Sequence, residues 1–569
     1  MVGQNAQAEE AYKDYGVVMK NLFNVIQPVR KHDAQIVQVR GVNLTDNYPD
    51  GAIEWSDHIS LDRFPYITSW TPPAQISNTD GVEALTAWST PYPWGNLIYI
   101  DSGGTMVFRS QDTEAIVQHT FLPGPKQFAV LQNKLVVWPD KVYVNLATLE
   151  AVPLAQTIVV ASCSFAAHSM TLYGSASVEA EGDLTTRFQV DDMVRISDLE
   201  DSFAANNGWW RVTEVEAHTL HFSMPEEQSF VTGSVPQSQR PVVQRVIPDL
   251  DFITVQNNRL WGVDNDEQTI WSSVQGDPTN FYTYKGVASD AGAIPVSSSG
   301  DFTGITTLGS QVLAFKEDRL YKVLGSYPEE YHTYEYQMEG VAHGCHKSMV
   351  IINEALYYMS PHGVMVYQGQ MPVPISTVLG PDGFDGAVAG TDGLRYYTTF
   401  KTGEDVMGDV YSLFSYDTRL GLWIQEALDV QAYDFARIGS DCYMLTDAFV
   451  SKLRAGDKDD GEITWHVEFK KFYEASTGSD NKYMVAPVLK RYHRLIFRVD
   501  LPVGSTITVK ISYDDEEPFQ TIATISGKKG IASYPVPIAK CDSFRLKLDG
   551  AGPGTVLQIV REFSLGTTR

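Results

Sequence analysis

Leu313-Ala314-Phe315-Lys316-Glu317-Asp318-Arg319-Leu320-Tyr321-Lys322-Val323 decides the fold. An apolar strand runs into a short polar turn, and a second apolar strand returns. Related copies are Lys134-Leu135-Val136-Val137-Trp138-Pro139-Asp140-Lys141-Val142-Tyr143-Val144 and Ala355–Tyr367. A hairpin repeated in this way has two faces to bury, and stacking the copies around a ring buries both. The pattern predicts an all-β chain whose main body is a β-propeller.

Working outward, Asn96–Phe108 is a hairpin with a Gly103-Gly104 turn, and Phe128–Pro153 gives the next. The pattern breaks, then resumes at Phe252–Val263 with a partner strand through Ile270–Ser273. Further blades are expected over 305–336, 348–375, 387–425 and 430–453. Repeats about 30–50 residues long suit a propeller of roughly six or seven blades. The break from 161 to 244 has short strands of its own. Phe188–Ser197, the Asn207-Gly208 turn leading into Trp209–Val215, and Thr219–Ser223 predict a small β-barrel inserted between blades.

Both ends differ from the blades. Ala6 to about Asn21 predicts a short helix, and Val37–Leu44 a strand. Residues 1–73 read either as an arm packing on the ring or a neighbouring subunit, or as a strap closing the propeller. Ala475–Asp480 reads as a linker. Beyond it, Leu495–Val499, Thr506–Tyr513, Phe544–Leu548 and Leu557–Phe563 alternate with period two and predict a β-sandwich. The expected domains are therefore 1–73 (arm and strap), 74–160 with 245–474 (propeller), 161–244 (barrel) and 485–569 (sandwich).

Composition agrees with a β-rich chain. Tyr 29, Phe 25 and Trp 11 favour pleated surfaces, and Gly 44 with Pro 28 supply turns. The net charge of −27 opposes tight wrapping by nucleic acid. It favours solubility and would suit a surface along which DNA slides without sticking. Four scattered cysteines form no CxxC pair, which predicts folding in a reducing cytoplasm without disulfides. No apolar run reaches the length of a membrane span, and the first ten residues lack signal-peptide order.

Chemistry-bearing patterns are few. No HExxH, Walker A loop, GxSxG elbow or dinucleotide fingerprint occurs. His343-Gly344-Cys345-His346 offers two imidazoles and a thiol, but a closed zinc site needs a fourth ligand and strand neighbours point to opposite faces. It reads as structural. The acidic stretch 455–462 reads as a solvated turn, because Gly461 stands where a calcium loop needs its third ligand, and the acidic 382–386 and 514–517 read in the same way. With 70 acidic residues, a carboxylate pair for glycoside hydrolysis cannot be singled out, and no Asp-box repeat is evident. Trp209-Trp210 reads as an anchor of the barrel core, with a stacking platform for sugars or bases as the alternative. No catalytic, metal or cofactor-binding residue is assigned, and no cofactor is expected.

The phrase Ile270-Trp271-Ser272-Ser273-Val274-Gln275-Gly276-Asp277-Pro278-Thr279-Asn280-Phe281 is similar to one in tailed-bacteriophage virion proteins. The Val312-Leu313-Ala314-Phe315-Lys316 strand, Gly41-Val42-Asn43-Leu44-Thr45 and Arg63-Phe64-Pro65-Tyr66 add to the likeness. Over most of its length the chain resembles the tail nozzle, or packaged-DNA stabilisation, β-propellers. That resemblance implies a non-enzymatic virion tail component made in the host cytoplasm. It implies a homo-oligomer, commonly a hexamer, that meets the portal, its adaptor and other tail proteins. Genomic DNA would pass without sequence-specific binding, and no membrane insertion is implied. The alternative is a tail-tip propeller that binds a receptor or glycan.

Overall fold

The computed structural model describes residues 31–87, 94–110, 113–166, 169–172, 183–223, 230–380, 384–406, 408–447, 449–456, 463–474, 476–477, 483–484 and 489–565. The expected helix over 6–21, the linker 475–480 (apart from 476–477) and most of the acidic stretch 455–462 lie outside them. The chain divides into two compact units, Met1–Thr71 with Asp457–Arg569, and Pro72–Gly456.

The larger unit holds seven four-stranded antiparallel sheets among the described residues, which makes a seven-bladed propeller. Blade 1 runs from Val82–Ala87 to Glu114–Thr120, blade 2 from Gln127–Leu131 to Ala151–Pro153, and blade 3 from Phe252–Gln256 to Gly292–Pro295. Blade 4 runs from Gly304–Leu308 to His332–Gln337, blade 5 from Val350–Ile352 to Val373–Pro374, and blade 6 from Val388–Thr391 to Leu422–Leu428. Blade 7 combines Asp434–Ile438, Asp441–Leu445 and Val450–Lys452 with Ala74–Gln75 from the start of the unit. That two-residue strand closes the ring by pairing chain segments almost 400 residues apart, which limits the exposed edges that would invite aggregation.

The first strand of each blade is innermost, since first strands pack on first strands of neighbouring blades. The middle strands are buried on both faces. Arg259–Asp264, Ala355–Ser360 and Thr269–Ser272 are buried at every position. This is why the sequence shows continuous apolar runs there rather than alternation. Side chains from adjacent blades share each core. Leu135, Val137, Val142 and Val144 of blade 2 pack with Ile98, Ile100, Met106 and Phe108 of blade 1.

The insertion between blades 2 and 3 is an eight-stranded antiparallel sheet coiled round its own core as a small barrel. It begins at Thr157–Val159 and ends at Val242–Arg245, slightly wider than the expected 161–244 because the two ends pair with each other. Buried Arg245 ties the neck. Its Nε donates to Asp192 Oδ2 at 2.8 Å, and Nη1 donates to the Leu154 carbonyl oxygen at 3.3 Å.

The smaller unit corrects the expected ends. The sandwich is built from both chain termini. A six-stranded sheet contains Lys31–Ile36, Ile59–Ser60, Ile67–Ser69, Lys490–Asp500, Lys529–Pro535 and Thr555–Leu565. The facing five-stranded sheet contains Ile53–Asp57, Thr464–Phe469, Thr506–Tyr513, Gln520–Ser526 and Phe544–Ala551. Residues 31–69 are therefore sandwich strands rather than an arm, and the propeller ends near Lys452 rather than at 474. The physical reason lies in Lys31–Ile36 pairing with Thr555–Leu565, and in Trp465 lying over Gly550, where a Cβ would fall 1.9 Å from the indole. Fully buried Arg561 links the pieces. It lies 3.8 Å from the Phe472 ring centroid, donates to Glu474 at 2.7 Å and reaches Asp50 at 3.1 Å.

Candidate functional site

Two places in the larger unit gather side chains with chemical potential. The first is one mouth of the propeller channel. Between blades 4 and 5 the chain makes a one-turn 3-10 helix, His346–Ser348. Its neighbours sit on inner strands of blades 3, 4 and 7. The His346 ring lies 4.9 Å from that of Phe252 in blade 3. In blade 4, Gly304 leaves room for Met349 and His346, since a Cβ there would fall 2.7 Å from Met349 Cε. Lys347 Nζ reaches blade 7, bonding Asp434 Oδ2 at 2.8 Å and the Tyr433 carbonyl oxygen at 3.2 Å. The helix thus lies across the channel mouth. Beside it remains a cleft of about 460 Å³, with Val82, Pro125, Val388, Tyr433 and Leu445 in its wall.

The polar groups here serve as braces. Burial pushes the Asp434 carboxyl above its ordinary value, while Lys347 and the backbone N–H groups of Leu85 and Phe435 pull the other way. Burial likewise raises the Cys345 thiol. Its sulfur accepts from the Ala387 N–H at 3.3 Å and lies 3.8 Å from the Phe384 carbonyl oxygen. His343 is exposed and Cys345 buried, so the His343–His346 group does not converge on one point. All four cysteines are free and buried.

Burial, with the Lys347 charge second, lowers the His346 pKa to about 4. The unfolded chain takes up this proton at about 6.5. Stability is therefore present above that value and lost as pH falls toward about 4, on the order of 3 kcal/mol. His346→Phe is expected to flatten the loss of stability between pH 7 and pH 4, measured by denaturant unfolding. An equally steep fall in the variant would show that this ring is not the group responsible.

The second place is an aromatic seam between the barrel and blades 3 and 4. Adjacent residues of a strand point to opposite faces, so Trp209 and Trp210 part company. Trp210 is buried in the barrel core, and its indole N–H donates to the Asn206 carbonyl oxygen at 2.9 Å. Trp209 is half exposed and meets Tyr282 edge-on at 6.0 Å. Tyr282 in turn meets Trp271 at 5.3 Å. The anchor reading holds for Trp210 and not for Trp209.

The Gly276–Phe281 phrase positions this seam. Asp277 Oδ1 accepts from the Thr279 N–H at 2.9 Å and sets the turn. Asn280 Oδ1 accepts from the N–H groups of Tyr282 and Thr283, and its Nδ2 donates to the barrel carbonyl of Asp191 at 3.3 Å. Arg211 of the barrel donates to the Tyr282 carbonyl at 3.1 Å. Behind the loop, buried Arg259 bonds the carbonyl oxygens of Ser273, Ala288, Ser289 and Asp290. The phrase is a latch between barrel and blade, a role invisible in sequence because its partners lie about 90 residues away. In the smaller unit, 514–517 is the exposed turn its acidity suggested, and Asp514 accepts from the Asp542 and Ser543 N–H groups.

No protein-family model and no curated protein matches the chain. Among solved structures it is similar to YCF48 from Cyanidioschyzon merolae, at 8% identity and TM-score 0.32, covering 67% of this chain and 97% of that one. It is similar to the phage phi92 endosialidase at 10% identity and TM-score 0.25, covering 78% and 80%. It is also similar to the extracellular domain of the putative hybrid two-component system BT4673 from B. thetaiotaomicron, at 9% identity and TM-score 0.24, covering 83% and 68%.

Proposed function

We propose that this protein is a non-enzymatic structural component of a phage tail, a wall segment of the tube that retains packaged DNA and conducts it during ejection. One observation carries the reading. The His346–Ser348 turn crosses the channel mouth and is braced to blades 3, 4 and 7. The turn narrows the mouth of the propeller's own channel. Duplex DNA, whose major groove alone is about 12 Å wide, cannot thread such a ring. A DNA path must then be enclosed by several copies, consistent with the homo-oligomer that the family resemblance implies. Closed rings of this kind use heterologous contacts repeated by rotation. The net charge of −27 favours a wall that does not grip phosphate.

The test is imaging of virions with the protein localised by density or label. The expected result is a ring of copies coaxial with the portal and surrounding the DNA, with no DNA inside any single propeller's channel. A peripheral position away from the DNA path would overturn the reading and turn attention to receptor binding.

A further inference from the structure

We propose that the cleft beside the barrel is a binding site for a neutral glycan chain. Its cavity of about 570 Å³ lies within the range of small-ligand sites, roughly 300–1,000 Å³. Trp271, Phe281, Tyr282, Tyr284 and Tyr331 form the walls, and Trp209 extends the aromatic surface outward from Tyr282. The floor is the small-residue strand around Ala291, Gly292 and Ala293. Gly292 has to be glycine, since a Cβ there would meet the Tyr331 ring at 2.8 Å and Ser272 Oγ at 3.0 Å. Tyr331 packs on the backbone at Gly292, and the aromatic walls offer ring faces to the apolar face of a pyranose ring.

Polar groups at the cleft suit hydroxyls. The Tyr331 and Ser272 hydroxyls lie 3.3 Å apart, and Thr333 lies at the margin. Trp271 is 8% exposed, and its indole N–H has no acceptor among the described residues. That nitrogen is itself buried, so Trp271 offers the cleft its ring rather than its N–H. None of the lining side chains is charged. With no basic side chain among the lining residues to answer a carboxylate or phosphate, Lys285 beside them paired to Asp191, and a chain net charge of −27, the cleft favours an uncharged ligand over an acidic sugar or nucleic acid.

The aromatic groups are held before any ligand arrives. Asn280, Arg211 and Arg259 fix the loop that carries Phe281 to Tyr284, so little ordering cost remains on binding. Trp209 and Tyr284 are 51% and 59% exposed, so their removal leaves the core intact. This site is independent of where the protein sits in a virion. A tail wall could carry it on its outer surface.

The test is calorimetric titration of the full chain with maltohexaose, cellohexaose, chitohexaose and a panel of neutral bacterial O-polysaccharides. Polysialic acid and a single-stranded DNA oligonucleotide serve as charged competitors. We expect saturable binding of at least one neutral glycan, weakened tenfold or more by W209A and by Y284A, with an unchanged unfolding midpoint. Absence of saturable binding across the neutral panel would overturn the proposal. So would equal affinity in both variants, or tighter binding of either charged competitor.

Discussion

Lys347→Met is expected to cost about 3–5 kcal/mol of propeller stability, the usual penalty for removing one partner of a buried ion pair. The ammonium lies 2.8 Å from Asp434 Oδ2, and the two side chains are only 15% and 14% exposed. Asp434 has further donors in the Leu85 and Phe435 N–H groups, but neither brings a full charge. Without the lysine, the carboxylate must stay buried and uncompensated or take up a proton. Burial already pushes its pKa above the unfolded value, and losing the ammonium pushes it further. The folded variant then binds more protons than the unfolded chain, so its stability falls as pH rises. The deficit should be largest at neutral pH and shrink toward pH 4. Lys347→Met combined with Asp434→Asn removes the stranded charge and keeps an oxygen for the Leu85 N–H. It is expected to recover at least half of the loss. Guanidinium unfolding of the two single variants and the double variant measures all three. A Lys347→Met protein with the wild-type midpoint would show that the turn is not braced across the ring.

The blades were legible because their signal is local. Each hairpin writes apolar strand, turn and apolar strand within a dozen residues, and the hairpins singled out all fall within blade sheets, from Leu97–Arg109 to Asp434–Leu445. What escaped depends on distant partners. Ala74–Gln75 is too short to carry a pattern, yet it closes the ring. Lys31–Ile36 alternates only weakly, and its place is set by Thr555–Leu565, more than 500 residues away. Thr464–Phe469 looked like the tail of the propeller because a β-strand has no mark that says which sheet it joins. At the candidate sites the same division holds. Trp209-Trp210 was visible as a pair. The period of two divides it between core and surface, and the latch residues supply the rest of the seam.

That latch yields the second large effect. Arg259→Met is expected to destabilise the larger unit by about 3 kcal/mol and to open the loop 276–291 to proteases. The guanidinium is fully buried and holds four carbonyl oxygens. The Ala288 carbonyl is on an exposed residue and can turn to water, and that of Ser289 keeps the Gln275 N–H, whereas Ser273 and Asp290 are buried. Two stranded carbonyls at about 1–3 kcal/mol each account for the expected loss. Methionine fills much of the space, so the change isolates the lost hydrogen bonds from a cavity. Arg259→Lys keeps a charge but cannot fork across several oxygens, and should fall between wild type and Arg259→Met. The loop then carries the consequence to the cleft, because Phe281, Tyr282 and Tyr284 ride on it. Limited proteolysis should nick Arg259→Met near Tyr284–Ser289 while wild type stays intact, and unfolding should be read by denaturant titration. An Arg259→Met protein with unchanged midpoint and an uncleaved loop would mean that Asn280 and Arg211 hold the latch without it. The barrel, rather than the blade, would then be what preorganises the aromatic seam.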